Sequence, residues 1–251
     1  MNMRINERDR KTVNLERGAG HASAPADGGR QSLRERNKRD KLRRIKAAAR
    51  ALFVAKGFDE ATTREIAQCA DVGMGTLFLY ADNKRDLLFL VVNDDLEALV
   101  DEATRRFRAG GGVLDNLMGV FKLHYRFFGR EPALSRYALR EMTFYGTGQQ
   151  AMRFRQTRER MMALLVTMVA DGQKHAGIDP NVDPGLFSWT AFCIYQVELR
   201  RWLDTDAPAL RSGITRLEKA IGLLLTGASP ARSPGRSWVR GRRARGAKMR
   251  G

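Results

Sequence analysis

The sequence has little cysteine: Cys69 and Cys193 are the only two in 251 residues. One bridge at most is possible, which excludes a disulfide-stapled secreted scaffold and points to a reducing cytoplasm. Histidine is almost as scarce, with His21, His124 and His175. No H-E-x-x-H, P-loop, dinucleotide fingerprint or G-x-S-x-G is present, so the chain lacks the constellations that catalysis, metal binding or a cofactor would need. It is read as no enzyme, with no cofactor and no metal. No run of ~18 apolar residues occurs, so nothing is predicted to span a membrane. The opening MNMRINERDRKTVNLERGAG has no apolar h-region and predicts no secretion signal. Alternating strand patterns and internal repeats are missing too. Acidic residues are in short supply, 28 against 45 Lys and Arg, for a net charge of +17. That excess calls for a polyanionic partner, either nucleic acid or an anionic membrane face.

What is present is helical periodicity between two polar ends, and the predicted class is all-α. Residues 1–33 end in HASAPADGGRQS, a mix that buries little surface, and are expected to be a disordered arm. Residues 228–251, ASPARSPGRSWVRGRRARGAKMRG, carry eight basic residues and no acid and are expected to be a disordered basic tail. The first helix is predicted from about Leu33 to Lys56. It opens on Arg34, Arg36, Lys38 and Arg39, which either add phosphate contacts or are simply a solvated charge run. Ile45, Ala48, Ala49, Leu52 and Phe53 line one face, and Gly57 suits the left-handed residue that ends it. Thr62-Thr63-Arg64-Glu65 reads as a capping box opening a second helix that ends near Ala70. Asp71 takes the left-handed turn position and Val72 plugs the turn. A third helix follows from about Met74 to Tyr80. Asp82-Asn83 breaks it, and Asn83 caps the next helix with Asp86 three residues on. Two short helices joined by a tight turn make a helix-turn-helix over 62–81, whose second helix can enter a major groove ~12 Å wide.

The segment ATTREIAQCADVGMGTLFLYADNKRDLL resembles the DNA-binding signature of the TetR family of bacterial regulators. Thr62, Ile66, Ala67, Ala70, Val72, Gly75, Thr76, Leu77, Tyr80, Asn83, Lys84, Leu87 and Leu88 carry the likeness, and ALFVAKGF before it resembles the end of the family's first helix. The resemblance covers residues 39–99, the expected DNA-binding domain. Three positions depart from the pattern: Asp71 replaces a glycine, Gly73 a serine that would cap the recognition helix, and Ala81 an aromatic residue. By resemblance, Thr76 and Tyr80 contact phosphate or bases and Lys84 contacts phosphate. Thr62, Thr63, Arg64, Met74, Gly75, Phe78 and Leu79 complete the candidate DNA-binding set. Phe78 lacks the hydroxyl of the family's tyrosine and offers only apolar contact, such as to a thymine methyl.

Residues 100–227 read as a larger helical effector-binding and dimerisation domain. Pro132 and Asp183-Pro184 mark helix starts. The helix up to Leu203 is apolar on more than one face and needs burial on two sides. With the last helix, about Ala209 to Thr226, it is expected by resemblance to pair with its copy in a homodimer, the alternative being that both merely complete the monomer core. Phe121, His124, Tyr125, Phe128, Tyr137, Met142, Met161, Trp189, Phe192 and Gln196 are the candidate lining of a pocket for a small apolar or amphipathic effector, although core packing alone explains aromatic and Met stripes at this spacing. The expected function is a sequence-specific transcriptional regulator, a repressor released from a double-stranded DNA operator by that effector, acting on the nucleoid in the cytoplasm. The alternative is a basic adaptor or membrane-surface protein that uses the helix-turn-helix only for nonspecific DNA binding.

Overall fold

In the computed structural model residues 28–229 are described, and every regular element among them is helical. The helices are α1 (Gly28–Ala55), α2 (Thr63–Cys69), α3 (Met74–Phe78), α4 (Lys84–Arg106), α5 (Val113–Phe128), α6 (Pro132–Glu141), α7 (Ala151–Lys174), α8 (Pro184–Leu203) and α9 (Leu210–Ala228), with a 3₁₀ turn at Met142–Phe144. The chain divides into two units after Asp40. In the first, α1 already begins at Gly28, so residues 28–33 are helical where a disordered arm was expected. Arg39 faces Glu35 one turn away there, at 3.9 Å. The rest of the predicted arm, residues 1–27, and residues 230–251 of the predicted basic tail lie outside the described residues.

The second unit starts at Lys41 and holds all the other elements. Ile45, Ala48, Ala49 and Phe53 are buried along one side of α1, at the spacing read from the sequence. Gly57 ends that helix with φ +86°, and a Cβ there would stand 2.7 Å from the Tyr137 hydroxyl, so both backbone and space require glycine. Phe58 then folds back on Phe53, with ring centroids 5.4 Å apart.

The larger body is built around α4 and α5. α4 packs on α5 and α7, α7 on α8, and α9 on α5 and α8. Phe89 on α4 is stacked on Tyr145 at 3.8 Å and lies 5.0 Å from Phe154 on α7. Phe121 on α5 stacks on Tyr195 of α8 at 4.7 Å. Each such aromatic contributes about 1.5–3 kcal/mol through burial alone, so one cluster pins α4 to α7 and the other pins α5 to α8. α9 closes on Gly213, against which Trp202 and Tyr125 pack so tightly that a Cβ would meet both at 2.7 Å. Among the described residues no helix is long and apolar enough to cross a membrane.

Candidate functional site

The helix-turn-helix is set by local chemistry. The Thr62 side chain accepts from Glu65 N at 3.2 Å, and the Glu65 carboxylate accepts from Thr62 N at 3.0 Å. Together they satisfy donors that the start of α2 would otherwise leave bare. Lys56, bonded to that carboxylate, and Thr62 hold the Glu65 pKa down to about 2. Asp71 takes the turn at φ +50°, and Arg44 donates to both its carbonyl and its carboxylate. Val72 N donates to Ala67 O at 3.0 Å and closes the turn. α3 begins at Gly73 without a side-chain cap. Leu77 alone in that helix is fully buried, which turns the opposite side outward. Gly75, Phe78 and Leu79 are exposed, Leu79 at 74%, while Met74, Thr76 and Tyr80 are half-buried. Arg64 on α2 is exposed and pairs with no carboxylate among the described residues, and Thr62 and Thr63 flank it. Lys84 opens α4. Its ammonium donates to Asp59 O at 2.8 Å and sits 4.9 Å from the centre of the Phe58 ring. The candidate DNA-binding residues therefore belong to the outer side of one short helix and the two helix starts beside it.

A buried polar network joins this head to the body. Asn83 accepts from Asp86 N at 2.9 Å, as its cap position predicts. The Asp86 carboxylate does not reach back to Asn83. It is fully buried and accepts from Asp82 N, Gln149 N and Gln150 N at 2.8–2.9 Å, and from the Tyr145 hydroxyl. Burial and this carboxylate both push the Tyr145 pKa upward. Gly148, at φ +120°, is obligatory because a Cβ would stand 2.5 Å from Asp86 Oδ1. The neighbouring glutamines reach further. Gln149 Nε2 donates to Phe78 O and Asp82 Oδ1, and Gln150 Nε2 donates to Tyr80 O. The two residues that lead into α7 thus hold backbone carbonyls at and just beyond the end of α3.

Along α7 from these glutamines lies an apolar cavity of about 330 Å³, within the range that small-molecule sites occupy, ~300–1,000 Å³. Seven of the ten residues expected to line a pocket are brought together there: His124, Phe128, Met142, Met161, Trp189, Phe192 and Gln196. The other three are elsewhere. Phe121 and Tyr125 are fully buried in the core stacks of α5 with Tyr195 and Trp202. Tyr137 packs 6.1 Å from Phe58. Aromatic spacing marks a buried face without saying which side of the helix meets space and which meets another ring. Residues that the sequence did not single out also line the cavity, among them Leu96, Val100, Phe154, Arg158, Tyr195 and Arg200. Burial lowers the His124 pKa and so favours the neutral ring. With its Nδ1 3.0 Å from Val120 O as donor, Nε2 is left as an acceptor, a tautomer assigned from that bond. Among the described residues no group of three or more His, Cys, Asp or Glu could hold a metal ion.

Residues 45–91 match the model described as bacterial regulatory proteins, tetR family. No curated protein sequence matches the chain. Among solved structures, the fold is similar to FadR of Thermus thermophilus, a TetR-family transcriptional repressor in complex with lauroyl-CoA, at 25% identity and TM-score 0.60, over 77% of this chain and 99% of that one. It is also similar to Bacillus subtilis FadR in complex with stearoyl-CoA (17%, TM-score 0.61, 73% and 97%). A third likeness is to the fatty acid degradation regulator FadR of Bacillus halodurans (21%, TM-score 0.59, 73% and 97%).

Proposed function

We propose that this chain, a member of the TetR family of bacterial regulatory proteins, is a DNA-binding transcriptional repressor that leaves its operator when an apolar or amphipathic molecule fills the cavity between α5, α7 and α8. The observation that carries this reading is the hydrogen-bonded link from the start of α7 to the end of α3. An occupant wedged beside Phe154 and Met161 acts on the helix whose N-cap, Gln150, and the preceding Gln149 hold Tyr80 O and Phe78 O. The two FadR structures with lauroyl-CoA and stearoyl-CoA support an effector with a long apolar chain.

In this reading α3 enters the major groove. Thr76 and Tyr80 contact phosphate or base edges, Phe78 and Leu79 press on thymine methyls, and Lys84 and Arg64 hold the backbone. Half-site recognition calls for a dimer. Leu186 on α8 and Leu223 on α9, which lie outside the cavity lining, leave apolar surface exposed that a second copy would cover. Release needs an effector that prefers the non-binding arrangement. Moving the population from 1:99 to 99:1 takes roughly 5.5 kcal/mol of preference. The function is tested by selecting bound sequences from random DNA. An enriched palindrome with half-sites about one helical turn apart is the expected result, and sequence-independent binding alone would contradict it.

A further inference from the structure

Within the cavity lining, two cations stand out against the apolar surface: Arg158 on α7 and Arg200 on α8. α7 and α8 pack as a pair joined by one loop, and counted from that loop the two arginines stand at the same register. Neither has a carboxylate partner among the described residues. This sets them apart from Arg153, which is paired with Asp94 and Glu97, and from Arg160, paired with Asp101. Arg200 is half-buried and gives its hydrogen bonds to neutral oxygens only: Gln196 O at 3.0 Å, Gln196 Oε1 and Leu139 O at 3.2 Å. A guanidinium has five N–H donors, so the Nε–H and one Nη2–H remain unused. A partly desolvated cation without a counter-ion is costly unless an anion joins it. Arg200 also borders a shallow groove lined by Arg136, Leu139, Arg140, Leu203 and Asp204. In that groove Arg140 is neutralised by Asp59, whereas Arg136 bonds only the carbonyls of Leu203 and Thr205. Burial disfavours the charged form of the cavity's histidine.

We infer that the effector is an amphipathic anion whose apolar chain fills the cavity and whose negatively charged head is held between Arg158 and Arg200. This rests on the reading of the cavity as the effector site. It adds a specificity the apolar walls cannot supply, because those walls accept any chain of the right size. It also places the charged contact on α7 about two turns from Gln149 and Gln150, the residues that hold α3. The shared chemistry is an anionic head on an alkyl or acyl chain, and the head is either the carboxylate of a free fatty acid or the phosphates of an acyl thioester, for which Arg136 extends the basic surface.

The test is calorimetric titration of the full-length chain with dodecanoate, dodecanol and lauroyl-CoA, for wild type, Arg158→Gln, Arg200→Gln and the double variant. Loss of a charge-assisted pair corresponds to about 10–100-fold in affinity. Wild type is therefore expected to prefer at least one of the two anions over dodecanol by ~10-fold or more. The double variant should lose that preference, with an unchanged helical circular dichroism spectrum and a cooperative melting transition showing that it is folded. Arg158→Gln, a change at an exposed position, should lose part of it. A preference for dodecanoate identifies a carboxylate site, and a preference for lauroyl-CoA alone identifies a phosphate site. Equal binding of dodecanol and both anions, or an anion preference that survives in the double variant, overturns the inference and leaves the apolar cavity standing. Failure of all three probes to bind wild type overturns the cavity reading and the inference with it.

Discussion

The helix-turn-helix head and the helical body are held together by different kinds of contact. In the head, the caps and the closing bond of the turn join residues a few positions apart: Thr62 to Glu65, Val72 to Ala67, Asn83 to Asp86, with Arg44 to Asp71 and Lys84 to Asp59 as the longer-range additions at the exposed surface. In the body and at its junction with the head, the decisive bonds are long-range. Tyr145, Gln149 and Gln150 reach back to Phe78, Tyr80 and Asp86, about sixty to seventy residues away. A locally written head docks as a unit of fixed shape. A body tied to it by a few buried polar bonds can shift that unit as a whole. This is the property a ligand-controlled DNA-binding protein needs, since small displacements at an effector site must become a change in how the heads are presented.

The largest effect should come from cutting the junction. Asp86→Ala leaves four donors facing an empty buried site and is expected to cost about 3–5 kcal/mol in denaturant unfolding. By contrast, Thr62→Ala in the head should cost ~1 kcal/mol, the usual loss for a helix cap. Equal costs would erase the contrast between the regions.

That contrast also explains what could be read from the sequence. The capping box at Thr62, the left-handed Asp71, the Pro132 and Pro184 helix starts and the apolar stripe of α1 are local signals, and each corresponds to the observed element. Asp86 was legible as a residue near a cap, but its carboxylate turns to partners far along the chain that no short window contains. Tyr137 has the composition of a pocket residue yet meets Phe58 instead, because the side of α6 that faces the head is set by packing. Arg158 and Arg200 carry no such local signal, since an arginine on an amphipathic helix ordinarily marks the solvent side.

The next effect in size concerns assembly. Leu186→Glu combined with Leu223→Glu places charge on the exposed apolar surface of α8 and α9 without touching the core. Light scattering at micromolar concentration should show a dimer for wild type and a monomer for the double variant with unchanged helicity. A dimer that persists would place the interface elsewhere.

A smaller effect is expected on the DNA side. In its proposed role Lys84 holds one phosphate, so for Lys84→Ala the slope of log affinity against log salt should fall by ~1 for every sequence tested. An unchanged slope would confine Lys84 to its bond with Asp59 O. The smallest effect is pH-linked. Burial depresses the His124 pKa below the ordinary imidazole value of 6.5. The unfolded chain therefore binds the proton first, and stability falls as pH drops below 6.5, by at most about 1.4 kcal/mol per pH unit. His124→Phe should flatten the stability profile below pH 6.5, and an unaltered slope there would show that the histidine is not shielded.

The central claim is that occupancy of the cavity is transmitted through α7 to α3. It is tested most directly by measuring operator affinity at fixed salt with and without saturating lauroyl-CoA, with ligand binding followed in the same samples, for wild type and for Gln149→Ala combined with Gln150→Ala. The account predicts that the ligand lowers wild-type affinity by ~10-fold or more, and that the double variant binds the ligand normally but responds by a much smaller factor. A ligand that binds wild type and leaves its operator affinity unchanged would contradict it.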